Sequence, residues 1–339
     1  MKTVTLRLIF ALGLALAGSF RLSGQSLAEL VESAGMRELA ATFSPEKTDR
    51  ILGDDIAIPD HADRAAAAVM VAMGVWTRDQ LDDTQVCRDA LEQWTAGAEE
   101  VTTVLAWDLS NVAEIFSVSR FGGHEALRED AELMATLDEA IGAEVLTGYG
   151  LRSRGVSHDT DARRTVIYSH SSLPHVKQLI GLVASEGLRG RVMIAPKIAA
   201  FVFREGWGER PEWINELGPG IYVAQGPEML VHFEFEQASD RQRFDLLVER
   251  YAKKDEEHET GNIIRSWWQP FYYGETPIAG YREISRVTVY SEQVEASLLM
   301  LPARAELVRS HFSAGKWSIE ADSIWVSRPF FRFLEGDFK

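Results

Sequence analysis

Apolar positions along the chain change period near residue 160. Before that point the spacing is helical. Residues 60–75 form an alanine-rich run that Asp60 is suited to cap. Residues 78–96 place Leu81, Val86, Leu91 and Trp94 between charges, with Thr77 as a cap, and residues 125–142 put Leu127, Leu133, Leu137 and Ile141 on one helical face. Residues 27–41 are a shorter amphipathic stretch. Residues 99–117, rich in Val and Thr, fit either helix or strand.

Beyond residue 160, short β-branched and aromatic runs take over. Strands are predicted at 165–169, at 191–195 with a continuation to 203 past Pro196, at 229–236 and at 283–290. Helices are predicted at 174–186, capped by Ser171 or Ser172 and stopped by Gly187, and at 240–254, capped by Ser239. The order β-α-β-β-α-β predicts a ferredoxin-like layer, an antiparallel sheet with two helices on one face. The expected fold class is therefore α+β: a helical N-terminal region, then that layer, then a C-terminal extension with partial helix at 293–310 and a strand at 318–326. A parallel α/β layer is the competitor, because the first β-α-β unit fits both. Residues 148–164, with three glycines, read as a linker or a loop over a site, and Gly148-Tyr149-Gly150 as a flexible turn. That places an acidic helical domain or cap at 26–150 and an α+β domain carrying the site at 160–339.

Charge supports the same division. Residues 26–160 hold 26 acidic and 10 basic side chains, whereas residues 161–339 hold 25 and 22. No basic face is available to neutralise phosphates, so nucleic acid is not an expected partner. At the start, Lys2 and Arg7 precede the unbroken apolar run 8–17, and small residues follow. That is the signal-peptide pattern; a leader at 1–25 predicts a periplasmic or secreted protein with no stable membrane insertion once the leader is removed. Cys87 is the only cysteine in the sequence. An internal disulfide is therefore impossible, and a small buried hydrophobe is the simpler role for Cys87 than a catalytic thiol.

Four segments carry candidate chemistry. The polar patch at 169–175 joins a strand to a helix, where free N–H groups favour an anion and keep histidine neutral. There His170 and His175 are candidate bases and Ser171 a substrate contact, although serine caps are common. The run at 232–236 puts His232, Glu234 and Glu236 on one strand face, opposite Phe233 and Phe235. That set suits a divalent metal, or a division of acid and base duties, or simply the polar face of a half-buried sheet. Lys197 beside Pro196 is suited to neutralise a substrate anion or to snorkel, and the Gly-flanked loop at 204–210 offers Glu205 and Trp207. Residues 267–274 concentrate Trp267, Trp268, Tyr272 and neighbouring aromatics, which either fill a core or wall a ligand cavity.

P-loop, dinucleotide-turn, HExxH, CxxC and GxSxG motifs are absent from the sequence. The expectation is an exported, soluble hydrolase or lyase acting on a small polar or aromatic substrate by histidine and carboxylate chemistry, with a divalent metal as the conceivable cofactor. The alternative is a noncatalytic binding protein that recognises a protein or glycan through the aromatic segment.

Overall fold

The computed structural model describes residues 25–96, 99–101, 105–154, 160–203, 214–251, 271–313 and 315–336. Residues 1–24 of the expected leader, together with Glu205, Trp207, Trp267 and Trp268, lie outside the described residues.

The first helices are α1 (Leu27–Ser33), α2 (Arg37–Ala41), α3 (Pro45–Leu52), α4 (His61–Ala72) and α5 (Thr84–Ala96). Their starts are set by side-chain caps: Ser26 in a capping box with Glu29, Ser44 before Pro45, and Asp60, which accepts from the Asp63 N–H. Helix α4 is the hub, because residues 65–70 are buried on nearly every side. Its alanines present little bulk, so α1, α2 and α3 pack closely around it. Trp76 fills the base of this cluster and donates its indole N–H to the Cys87 carbonyl. Cys87 itself is fully buried, and burial pushes its thiol up to about 11.

The chain then runs through β1 (Glu99–Val101), β2 (Leu105–Asp108), α6 (Ala113–Ser117), β3 (Val118–Phe121), α7 (Ala131–Gly142), β4 (Gly148–Ser153), β5 (Thr165–His170), α8 (Leu173–Ser185), β6 (Gly190–Phe203), β7 (Ile214–Gly218) and β8 (Ile221–Phe235). It finishes with α9 (Asp240–Tyr251), β9 (Tyr272–Gly274), β10 (Arg282–Tyr290), β11 (Val294–Met300), α10 (Ala305–Ser313), β12 (Ser318–Val326) and α11 (Arg328–Leu334). Eight strands, β6-β4-β11-β10-β12-β9-β5-β8, pair antiparallel in a ring, and the β8–β6 pairing closes it. This is a closed antiparallel β-barrel, with β2 and β7 added where β6 and β8 run past its wall.

The ferredoxin-like layer is thereby overturned. Strands β6, β8 and β5 do lie side by side with α8 and α9 on their outer face, which is the local pattern the sequence presented. The next neighbour of β5 is β9, however, and β10 sits across the ring between β11 and β12. Residues 148–153 are a barrel strand, not a flexible turn, and of the stretch 293–310 expected to be partly helical, 294–300 is β11 and the helix α10 begins at Ala305. Closure is favoured because it pairs edges that an open sheet would leave exposed.

The two faces of each strand divide the core. Outward side chains such as Val166, Tyr168, Val231, Phe233 and Phe235 join the N-terminal helices, α8 and α9 in one continuous hydrophobic cluster. Outward Tyr149, Leu151, Val287, Val289, Ala296 and Leu298 pack with α7 and α10 in a second. The Phe244 ring of α9 lies tilted against two rings of the first cluster, 5.0 Å from Phe233 and 6.0 Å from Phe235. Gly181 lets α8 approach closely: a Cβ there would lie 2.7 Å from Leu39 and 3.0 Å from the Met73 sulfur. The inward side chains form the site.

Candidate functional site: the interior of the barrel

Long β6 and β8 pair without a break from Gly190↔Phe235 to Phe203↔Tyr222. One edge of β6 is shared, first by β2 at residues 191–194 and then by β4 at 198–201. Pro196 falls at that handover, where this edge has no partner, so the strand continues through it instead of ending. Its neighbour Lys197 points into the barrel opposite Glu228. The Lys197 ammonium donates to Glu228 Oε2 at 3.1 Å and to Ser169 Oγ at 2.9 Å. All three side chains are partly buried.

Room for that ammonium comes from β4. A Cβ on Gly150 would stand 2.8 Å from Lys197 Cε, and one on Gly148 would stand 2.5 Å from the Ala200 carbonyl. Both glycines face inward by register, since Gly150 is opposite Ala199 and Gly148 opposite Phe201. They leave a cavity of about 160 Å³ inside the barrel. The polar wall includes Lys197, Glu228, Ser169, Arg152 and Ser297; the apolar wall includes Leu230, Phe271, Tyr273 and Leu299. Helix α11 folds over one barrel end, where Phe330 and Leu334 meet Ile284, Ile324 and Val326. Phe330 stacks on Phe271 at 4.6 Å, and Phe333 lies 5.3 Å from the same ring.

Other inward charges are neutralised within the wall. Arg152 of β4 pairs with its cross-strand neighbour Glu295. Arg286 bonds Glu275 at 2.7 Å and Asp322 at 2.5 Å. Glu234, nearly fully buried, is held by Arg191, by Arg164 at 2.9 Å and by the Asp161 N–H at 3.0 Å. Buried carboxylates need such partners, and these occupy the oxygens a metal would take. Glu236 is exposed beyond the end of β8. Among the described residues no group of three or more His, Cys, Asp or Glu is placed to hold a metal ion, so the metal reading of His232, Glu234 and Glu236 is corrected.

His170 borders the cavity, but its ring turns outward with Tyr168, stacked at 6.0 Å, and meets His175 edge-on at 5.1 Å. Nδ1 accepts the Ser172 N–H at 2.8 Å, which fixes the neutral ring's proton on Nε2. Nε2 is sealed from solvent and has no hydrogen-bond partner among the described residues. Burial, and then the nearby His175, depress its pKa to about 3. Ser172 is the N-cap of α8, although it makes no side-chain cap bond, and Ser171 is exposed. Tyr272 faces outward and donates to Asp245 at 2.6 Å, whereas the adjacent Tyr273 faces the cavity.

The barrel therefore brings Lys197 to the edge of the same cavity as His170, and leaves Ser171 and Tyr272 outside its lining. Sequence reasoning flagged the segments that contain Ser169 and Tyr273 without choosing those residues, and it passed over Glu228 and Gly150. Strand register is what brings these side chains together, because Lys197 and Glu228 become neighbours through a pairing of chain segments that no local spacing encodes.

Among the described residues no helix is long and apolar enough to cross a membrane. No family model matches the chain, and neither the curated proteins nor the solved structures contain a match to it.

Proposed function

We propose that this protein binds a small molecule inside the barrel, holding an apolar or aromatic body against Phe271, Tyr273, Leu299 and α11, with its polar end at Lys197, Ser169 and Glu228. The observation that carries the reading is the amphipathic cavity opened by Gly148 and Gly150. Eight-stranded barrels are wide enough to hold one small ligand, and a mostly apolar pocket with a few convergent polar groups is the usual form of such a site. The leader-like N-terminus supports a periplasmic or secreted binding protein.

Catalysis by a hydrolase or lyase is the second reading, favoured by the 2.9 Å contact between Ser169 Oγ and Lys197 Nζ. A lysine activates a serine only as the free amine. Lys197 is held in an ion pair with Glu228, and an ammonium has no lone pair to accept the hydroxyl proton. His170 offers no accessible nitrogen to replace it. These arrangements favour binding over turnover. Recognition of a glycan or protein through Trp267 and Trp268 rests on residues outside those described.

Titration with the neutral apolar fluorophore N-phenylnaphthylamine tests the proposal. Saturable binding with one site per chain is expected, and Gly150→Val, which drives a methyl into Lys197, should weaken it about tenfold or more while the fold survives. Absence of saturable binding, or equal binding by folded Gly150→Val and Ala199→Leu proteins, would remove the cavity as the site. Conversion of a panel of aromatic esters by the parent, lost in Ser169→Ala, would instead install the catalytic reading.

A further inference from the structure

The polar wall of the cavity restricts what kind of head group it accepts, an inference that rests on the binding reading above. Lys197 and Glu228 are directly opposite on adjacent strands, and Ser169 sits on the same ammonium. A ligand carboxylate brought to Lys197 also arrives beside the Glu228 carboxylate. A ligand ammonium brought to Glu228 arrives beside Lys197. Either ion gains one attraction and meets one repulsion in a partly dehydrated site, while also losing its own hydration. The next charges offer an anion no further attraction: Arg152 is paired with Glu295, and Arg286 lies between Glu275 and Asp322 in a trio that carries one carboxylate in excess and stands outside the cavity lining.

We infer that the cavity selects an uncharged head group that both donates and accepts hydrogen bonds, a hydroxyl or a primary amide, on an aromatic or branched apolar body. Such a group accepts from the Lys197 ammonium and donates to the free oxygen capacity of Glu228 without separating the pair. Ser169, as donor and acceptor, can turn to serve either side. The apolar remainder lies against Tyr273, Phe271 and Leu299 beneath Phe330.

Displacement of N-phenylnaphthylamine by phenylbutanol, phenylbutanamide, phenylbutyrate and phenylbutylamine reads the preference, since the four share one body and differ only in the head. In the parent protein the alcohol and amide should bind about tenfold more tightly than the acid or the amine. Glu228→Gln removes the repulsion of an anion and should move the acid to first place. Lys197→Gln should do the same for the amine. The double variant, with neither charge left alone, should keep the parent's order and shows whether a single variant has failed merely by misfolding. A parent that prefers the acid, or single variants that shift all four probes equally, would overturn the head-group inference while leaving cavity binding in place. Failure of the fluorophore itself to bind would overturn the binding reading, and this inference with it.

Discussion

His170 illustrates how one buried side chain writes itself into the stability of the molecule. Its pKa falls from 6.5 to about 3, chiefly because burial penalises the imidazolium. In the unfolded chain the ring takes a proton near its ordinary value, while in the folded chain it does not until far lower pH. Stability is therefore fully present above pH 6.5 and is lost as acidification proceeds toward about 3, by at most about 5 kcal/mol. His170→Asn keeps an acceptor for the Ser172 N–H and has no such titration. Thermal melts between neutral pH and pH 4 should show the variant losing less Tm than the parent; parallel curves would mean that the ring is protonated without cost. Position 170 was legible in sequence as special because it ends a strand before a capped helix. The direction of its ring, away from the cavity and against Tyr168, was not, since a strand's last residue can face either side until its partners are known.

Among the elements, α11 is the one whose removal separates cavity from fold. It begins after Ser327, which is buried and hydrogen-bonded through its N–H to the Tyr272 carbonyl, and its side chains remain only half-buried. Its aromatics cover Ile284, Ile324 and Val326 rather than building either of the larger clusters. Truncation after Ser327 should leave the far-UV circular dichroism nearly unchanged, lower Tm by a few degrees, and speed fluorophore dissociation by about tenfold or more. Unaltered dissociation would show that ligands enter elsewhere. Residues 328–334, with three phenylalanines and two arginines, span only about two helical turns, too short a run for periodicity alone to assign. Their place over the barrel end follows from where β12 delivers them, which is why the element escaped a reading of local pattern.

For the whole molecule, ring closure distributes stability unevenly. The β6–β8 ribbon pairs along fourteen positions, while β9 joins β12 through two register pairs and β5 through two more. Short pairings surrender fewer hydrogen bonds when they open, so β9 is the seam at which the barrel should breathe. Hydrogen–deuterium exchange should label peptides covering 271–275 well before those covering 191–202, by about two orders of magnitude in rate. Comparable protection at both would mean that the barrel opens only as a unit. Tyr272 opposes this opening locally, because its hydroxyl and that of Tyr281 both donate to Asp245 of α9.

Local chemistry in the sequence determined several helix starts, from Ser26, Ser44 and Asp60, and the alternation that turns Phe233 and Phe235 toward α9. These follow from interactions spanning a few residues, which a single segment carries complete. It also determined that residues 191–203 and 229–235 run as strand and that His232 shares a strand face with Glu234. Tertiary structure alone decided that this face is the inside of a closed barrel and not a solvated surface, since closure depends on β9, β11 and β4 finding partners far away in the chain. The same closure converted Gly148 and Gly150 from apparent turn residues into the space around Lys197, and set Glu228 opposite it. Alternation fixes which side chains share a face; register across distant strands fixes what that face meets, and the register is a property of the assembled ring.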